Sequence, residues 1–453
     1  MAGGTFDRLA GKTRPGTYVN FESTRQDVIG IAERGIVLLP LAAHSYGPAK
    51  QFITITNDAP DAAMRLLGYS VYDSNPGMLL IREAFKNAKS VIVYIPRQGA
   101  AAAGKSGTGD RLNAAARHGG TRGNDLQYSI VENPLGGFDV AVYLGGETVS
   151  LYEGLGSIEE LVARNDGWIN FTGTGALEPV AGVKLAGGTD GTLVASDITD
   201  FLDQSESVKW NTLAFPFEKT GEAGDPTPAL YEAVRTKIKY LREDAGKYRK
   251  AVVPNFAADY EGIINVTNGV VVNGQDLGPG QATAWVAGLD AGASNTKSGT
   301  GDIYAGATDI IGLKTHAESV AAINRGEFFF RFSEQGDVVV EYDINSLRTF
   351  AKPKDETYRK NRVLRVFDTF AESLMLNFPP NRFDNSPLGW DVMEGMGRSI
   401  LKLFFDAGAA KNVDYEADFR VDRSQSSGDK TYFDVGLEPV DSAEKLFFTI
   451  KTR

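Results

Sequence analysis

Two stretches of this chain read as an amphipathic helix running directly into an apolar strand, and that pairing restricts the fold more than any other feature. PGMLLIREAFKNAK (76–89) places Leu79, Ile81, Ala84 and Phe85 at helical spacing and leads into the apolar run at 91–95. PALYEAVRTKIKYLREDAG (228–246) is closed by Gly246 and leads into KAVVP (250–254). A helix followed at once by a buried strand is the repeating unit of an α/β layer. VIGIAERGIVLLPL (28–41) adds two further apolar runs around a charged turn.

The texture changes on either side of this pattern. Residues 98–181 are rich in Gly, Thr, Asn and Val, and LQYSIVEN (126–133), FDVAVYL (138–144) and ETVSLYEG (147–154) read as short strands joined by turns. From residue 346 onward, TYRKNRVLRVFDTFAESLML (357–376) predicts an amphipathic helix. Val363, Val366, Phe367 and Phe370 lie on its apolar face, and Arg359, Arg362 and Arg365 lie largely outside it. GWDVMEGMGRSILKLFFDAG (389–408) predicts a second helix; DYEADFRVD (414–422), TYFDVGLEPV (431–440) and KLFFTIK (445–451) predict strands. The first 16 residues are Gly-rich and aperiodic, a flexible arm ended by Pro15-Gly16, after which TYVNF (17–21) has strand character. The expected fold is therefore α+β and multidomain: an α/β core with an inserted β domain, a C-terminal α+β domain, and extended N- and C-terminal strand arms. The expected boundaries are an N-terminal arm at 1–22, a discontinuous core at 23–97 and 182–345, the insertion at 98–181, and a C-terminal domain at 346–453 with an arm from about 441 to 453.

Composition excludes several function classes. Of 453 residues none is Cys, so there are no disulfides and no thiolate metal sites. A net charge of −11 disfavours general nucleic-acid binding. No stretch approaches the ~20 apolar residues of a membrane span, and the N-terminus lacks the apolar region of a secretory signal. His44, His118 and His316 stand far apart, none at metal-ligand spacing, and no G-x-S-x-G elbow occurs. No metal, cofactor or catalytic residue is expected.

One match to a nucleotide-binding pattern needs weighing. GAAAAGKS (99–106) fits the Walker A spacing with Lys105 in the phosphate-binding position, and an apolar strand precedes it. The helix that must follow is opposed by Gly107 and Gly109. KSGTGD also occurs twice, at 105–110 and 297–302, and the second copy lacks the preceding Gly. Turn chemistry accounts for both copies, so the segment is expected to be a surface loop at a domain junction. VVVEYD (338–343) is expected to pair with FFFRF (328–332) as a hairpin.

Several stretches, in order, resemble the contractile tail sheath family of myophages and related contractile injection systems, in particular sheaths of phages and R-type bacteriocins from Gram-positive hosts. RPGTYVNFES (14–23) resembles the opening Pro-Gly-x-Tyr strand, and ERGIVLLPL with YGP (33–41, 46–48) the segment after it. AARHGGTRGNDLQYSI (115–130) resembles the start of the inserted domain, with Gly119 where proline is usual. LAGGTDG (185–191) is the most distinctive signature. DYEGIINVTNGV (259–270), TAWVAGLDAG (283–292), RGEFFFRFSEQGDVVVEYDINSL (325–347) and RKNRVLRVFDTF (359–370) continue the match.

The resemblance implies a structural subunit that polymerises with itself as stacked hexameric rings around an inner tail tube protein. Baseplate and tail terminator proteins are implied as further partners, in a virion tail assembled in the host cytoplasm. It implies that the terminal strands, at Tyr18, Val19 and Phe21 and at Leu446, Phe447, Phe448 and Ile450, add to sheets of neighbouring subunits; pairing within their own chain is the alternative. Hinges are expected at Gly11 through Gly16 and around Pro439–Ala443. The innermost C-terminal domain would meet the tube, with Arg359, Lys360, Arg362 and Arg365 as candidate tube-facing residues; a solvated face, or pairing with carboxylates of the same domain, is the alternative. A P-loop nucleotide-binding protein and another kind of self-assembling structural protein are the competing readings.

Overall fold

The computed structural model describes residues 30–97 and 99–452. At its centre is a seven-stranded sheet in the order Glu327–Phe328, Ile263–Val266, Lys250–Pro254, Thr212–Ala214, Ile36–Pro40, Ser90–Tyr94 and Phe52–Thr56. All neighbours run parallel except the edge strand Phe52–Thr56, which is antiparallel. The central strands IVLLP, SVIVY and KAVVP are apolar almost throughout because helices cover both faces.

Helices Pro76–Phe85 and Pro279–Gly292 cover one face, and Ala195–Gln204 and Thr227–Glu243 the other. Asn75 caps Pro76–Phe85 by accepting from the Gly77 N–H at 2.8 Å, with Pro76 preset for the first turn. The Pro279–Gly292 helix is buried on nearly every side, and its small residues allow backbone-to-backbone packing. A Cβ on Gly288 would lie 2.4 Å from the Ala84 carbonyl oxygen, and one on Gly292 2.0 Å from that of Asn87. Each fully buried Val, Leu or Ile of this layer, such as Val37, Leu39 and Val93, contributes about 1.5–3 kcal/mol.

Between the core strands the chain builds a separate β unit. A four-stranded sheet (Val180–Lys184, Leu126–Glu132, Phe138–Leu144, Glu147–Leu155) and a three-stranded one (Ala103–Ser106, Leu112–Ala116, Ile169–Gly173) share a core around Tyr128, Trp168 and Phe171. The unit is held to the α/β core by hydrogen bonds to the Asp190 carboxylate. Asp190 of LAGGTDG accepts from the Thr121 N–H at 2.7 Å, the Thr121 hydroxyl at 2.9 Å and the Ser45 hydroxyl at 3.2 Å.

The C-terminal region packs helix Asn361–Asn377 against helix Pro387–Asp406 over Val366, Phe370, Ile400, Leu401 and Phe404. Two small antiparallel pairs complete it: Phe419–Val421 with Phe433–Val435, and Ala410–Lys411 with Glu438–Pro439. The hairpin of Phe330–Phe332 with Val338–Val340 forms as the sequence predicts. KLFFTIK does not form a strand: beyond Pro439 no residue of the described chain belongs to a sheet.

Candidate assembly site

Helix Asn361–Asn377 lies between the α/β core and the rest of the C-terminal domain, and both of its sides are covered. Arg365 is fully buried. Its Nε donates to the Asp290 carbonyl at 3.3 Å, and its Nη1 to the carbonyls of Ser294 at 3.2 Å and Lys297 at 3.0 Å. Arg362 donates through Nη1 to the Ser442 hydroxyl at 2.5 Å. Lys360 binds the Glu444 carboxylate and lies 3.4 Å from Asp441. Arg359 is also buried. The four residues expected to face a tube therefore do not form an exposed basic stripe. Three of them hold the chain's own backbone, carboxylates and hydroxyl, because the side of the helix that the apolar pattern leaves over faces polar protein rather than solvent.

Beneath this layer is a buried charge cluster that sequence reasoning missed. Lys250, which opens the strand KAVVP, pairs with Asp290 of the Pro279–Gly292 helix, and both are buried. Burial alone would raise the Asp290 carboxyl, but the charges of Lys250, Arg365 and Arg34 outweigh it and hold the group well below the usual carboxylate range. The available signal was a Lys and an Asp placed inside segments that are otherwise apolar.

The second KSGTGD copy belongs to the same assembly. Lys297 and Asp302 pair at 2.8 Å and close the loop. Asp343 accepts from the Gly299 N–H at 2.9 Å and from Asn361 Nδ2 at 2.9 Å, and its own N–H donates to the Thr300 hydroxyl at 2.9 Å. Ser298 donates to Glu444 at 2.6 Å. The chain's last segment is thus fastened at its root: the Val440 N–H to the Ala409 carbonyl at 2.9 Å, Ser442 to Arg362, and Glu444 to Lys360 and Ser298. Lys445 lies over the Tyr342 ring at 5.8 Å, and the apolar residues after it are bare among the described residues. Phe447 is 92% exposed, Phe448 84% and Ile450 89%, and Leu446 is also exposed.

The same domain presents an apolar groove of about 260 Å³ lined by Leu374, Met375, Phe378, Phe419, Phe433 and Val435. Strand Phe433–Val435 borders it and, among the described residues, is paired on one edge only. Tyr18, Val19 and Phe21 of the expected N-terminal strand, and its expected hinge at Gly11 through Gly16, lie outside the described residues.

The Walker-like segment is not a phosphate-binding loop. Ala103–Ser106 is a strand, antiparallel to Leu112–Ala116, with Lys105 opposite Asn113. A turn follows, where Gly107 and Gly109 take positive φ, so no helix opens directly after Ser106. Lys105 is exposed and lies 3.7 Å from Asp110. The expected loop is thus half of a hairpin, because Ala103–Ser106 finds a ladder partner nine residues on. His44 is buried and His118 packs edge-on against Tyr46. Among the described residues there is no cluster of side chains fit to hold a metal ion, and no helix is long and apolar enough to cross a membrane.

Comparison with known proteins gives the same picture over the whole described chain. Residues 34–94 match the tail sheath protein Gp18 domain III N-terminal region, 97–190 the phage tail sheath protein beta-sandwich domain, 191–346 the phage tail sheath protein central domain, and 353–453 the phage tail sheath C-terminal domain. The chain is 35% identical over 482 residues to the phage-like element PBSX protein XkdK of Bacillus subtilis, covering 100% of both. It is 30% identical over 200 residues to the tail sheath protein of Clostridium phage phiCD119, covering 42% of this chain and 53% of that one. The crystal structure of a sheath tail protein from Desulfitobacterium hafniense superposes with a TM-score of 0.82 at 36% identity, covering 95% of this chain and 98% of that chain. The helical sheath of the anti-feeding prophage in its contracted state shares the fold at a TM-score of 0.58 and 14% identity, covering 98% and 100%. The chain belongs to the contractile tail sheath family and is a structural protein of a phage tail or phage-like particle.

Proposed function

We propose that this chain is the repeating subunit of the sheath, polymerising as stacked hexameric rings around an inner tail tube and shortening to drive that tube through a host envelope. The observation that carries this reading is the C-terminal segment: apolar, exposed and, among the described residues, without a ladder partner, in a C-terminal domain where a strand edge beside an apolar groove is likewise unpaired among those residues. Bare edges and bare apolar segments aggregate unless covered. A second copy satisfies both at once if its arm adds to the Phe433–Val435 edge and seats its phenylalanines in the groove. Such a contact is heterologous, and head-to-tail repetition builds an open helix. Tyr18, Val19 and Phe21 would serve a second arm in the same way.

On this reading the core at 23–97 and 182–345 carries the 98–181 domain outward, and the domain at 346–453 faces the tube. The extended sheath is metastable, and repacking of its subunits into a shorter state with more buried contact supplies the free energy, with no nucleotide. The tube, the baseplate and a tail terminator are its partners, with assembly in the host cytoplasm. Two structural relatives come from the baseplate and from the contracted helical sheath of the anti-feeding prophage, which supports the reading. Negative-stain electron microscopy of the concentrated full chain, beside a chain lacking residues 446–453, tests it. The full chain should give hollow striated tubes with or without ATP, and the shortened chain only single particles. Tubes from the shortened chain would overturn it.

A further inference from the structure

We infer that the contacts around Glu444 form a clamp that keeps the C-terminal arm out of its own subunit's groove, so that the arm is donated to a second copy of the chain instead of folding back. The inference rests on the reading of arm and groove given above. Its evidence is where the arm root is held. Asp441 and Glu444 both pair with Lys360, Ser442 binds Arg362, and Lys445 lies over the Tyr342 ring. The arm root is therefore fixed at the N-terminal end of helix Asn361–Asn377. The groove lies at the other end, at Leu374, Met375 and Phe378. At a rise of ~1.5 Å per residue, Leu374 is about 21 Å along the helix from Lys360. With Glu444 held there, the four residues on to Phe448 extend about 14 Å at most, short of that groove.

Released from Asp441 onward, the eight residues to Phe448 could extend about 27 Å, enough to turn back. Closure on the same subunit would be intramolecular, at an effective concentration of order millimolar, and would outcompete a neighbour at lower concentrations. The clamp is built to resist this. The Glu444 side chain is 8% exposed, between the Lys360 ammonium and the Ser298 hydroxyl, and charge-assisted bonds of this kind are roughly twice as strong as neutral ones. Burial opposes the charged carboxylate, but the bonds from Lys360, Ser298 and Thr300 outweigh it and lower its pKa. Ser298 is presented by the second KSGTGD loop, which Lys297–Asp302 and Asp343 hold in shape. That copy of the motif thus holds the arm root, whereas the 105–110 copy only closes a turn.

The chain has no cysteine, so a reporter pair can be added cleanly to the full-length protein: Asp434→Cys beside the groove and Thr449→Cys on the arm, leaving both phenylalanines in place. Oxidation followed by non-reducing electrophoresis and mass spectrometry separates links within a chain from links between chains. With the clamp intact, links should form between chains. Glu444→Ala, and independently the milder Ser298→Ala, should raise the within-chain fraction by about tenfold or more, the range for losing a hydrogen bond to a charged group. An equal within-chain fraction with and without the clamp, or a predominant one in the unaltered background, overturns the clamp and leaves the groove as the arm's seat. No link of either kind in any background overturns both the clamp and the donated-arm reading.

Discussion

Arg242 and Asp368 form a two-pronged ion pair, Nη1 to Oδ2 at 2.9 Å and Nη2 to Oδ1 at 2.7 Å, with both side chains almost removed from solvent. It joins helix Thr227–Glu243 of the α/β core to helix Asn361–Asn377 of the C-terminal domain, and one turn on along that second helix Glu372 pairs at 2.7 Å with Arg249, which directly precedes the core strand Lys250–Pro254. Burial alone would lower the Arg242 pKa; the charge and hydrogen bonds of Asp368 outweigh it and raise it. Removing one partner leaves a buried, unpaired charge. Asp368→Ala should therefore cost about 3–5 kcal/mol in chemical denaturation. The double change Arg242→Met with Asp368→Leu should cost clearly less, since it removes both charges. Equal losses would mean the pair contributes through packing alone.

Gly99 and Lys105 belong to the same Walker-like octapeptide and should behave in opposite ways. A Cβ on Gly99 would lie 1.5 Å from the Thr189 carbonyl oxygen, so Gly99→Ala must displace the segments entering and leaving the β unit. Its thermal midpoint should fall by several degrees, as for overpacking that costs about 1–3 kcal/mol or more. Lys105→Ala removes only an exposed pair and should change stability by less than ~0.5 kcal/mol. It should also leave tube formation intact. A phosphate-binding loop would show the reverse pattern, with loss of nucleotide binding on changing Lys105.

His44 gives the fold a defined response to acid. Its Nε2 lies 2.8 Å from the Leu67 carbonyl oxygen, and burial pushes its pKa down to about 4. The ordinary imidazole of the unfolded chain titrates near ~6.5, so between these values the unfolded state binds the extra proton. Stability is then full above about pH 6.5 and falls as the pH drops toward 4, by up to about 3 kcal/mol from this residue. Urea midpoints between pH 7 and 4 should decline, and His44→Gln should flatten part of that slope. An unchanged slope in the variant would assign the acid response to other groups.

The elements built from local pattern were legible in the sequence. The helices over 76–85 and 227–243 lead into strands 90–94 and 250–254 because apolar periodicity and turn residues are local properties. The hairpin of 330–332 with 338–340 was legible for the same reason. Arg362 and Arg365 were misplaced because helical periodicity marks only the apolar face. It cannot distinguish solvent from a polar protein surface such as the Ser294 and Lys297 carbonyls, which come from a loop about 70 residues earlier. The segment 445–451 has strand composition but no ladder in the described chain, since a ladder needs a second strand that composition does not name. Ser298 and Glu444, which meet at 2.6 Å across 146 residues, were invisible for the same reason.

The arm's two phenylalanines separate folding from assembly. Phe447 and Phe448 are exposed and touch no core cluster, so replacing both with Asp should leave the monomer's stability within ~0.5 kcal/mol of its starting value. In the polymer each would be buried in a neighbour's groove, at about 1.5–3 kcal/mol per side chain. Loss of both corresponds to a rise of about 100-fold or more in the concentration needed to polymerise, before the cost of desolvating two carboxylates is added. Sedimentation over a concentration series would measure it, with the melting transition as control. A variant that melts normally and polymerises at the original concentration would show that the arm's phenylalanines are not what joins one subunit to the next.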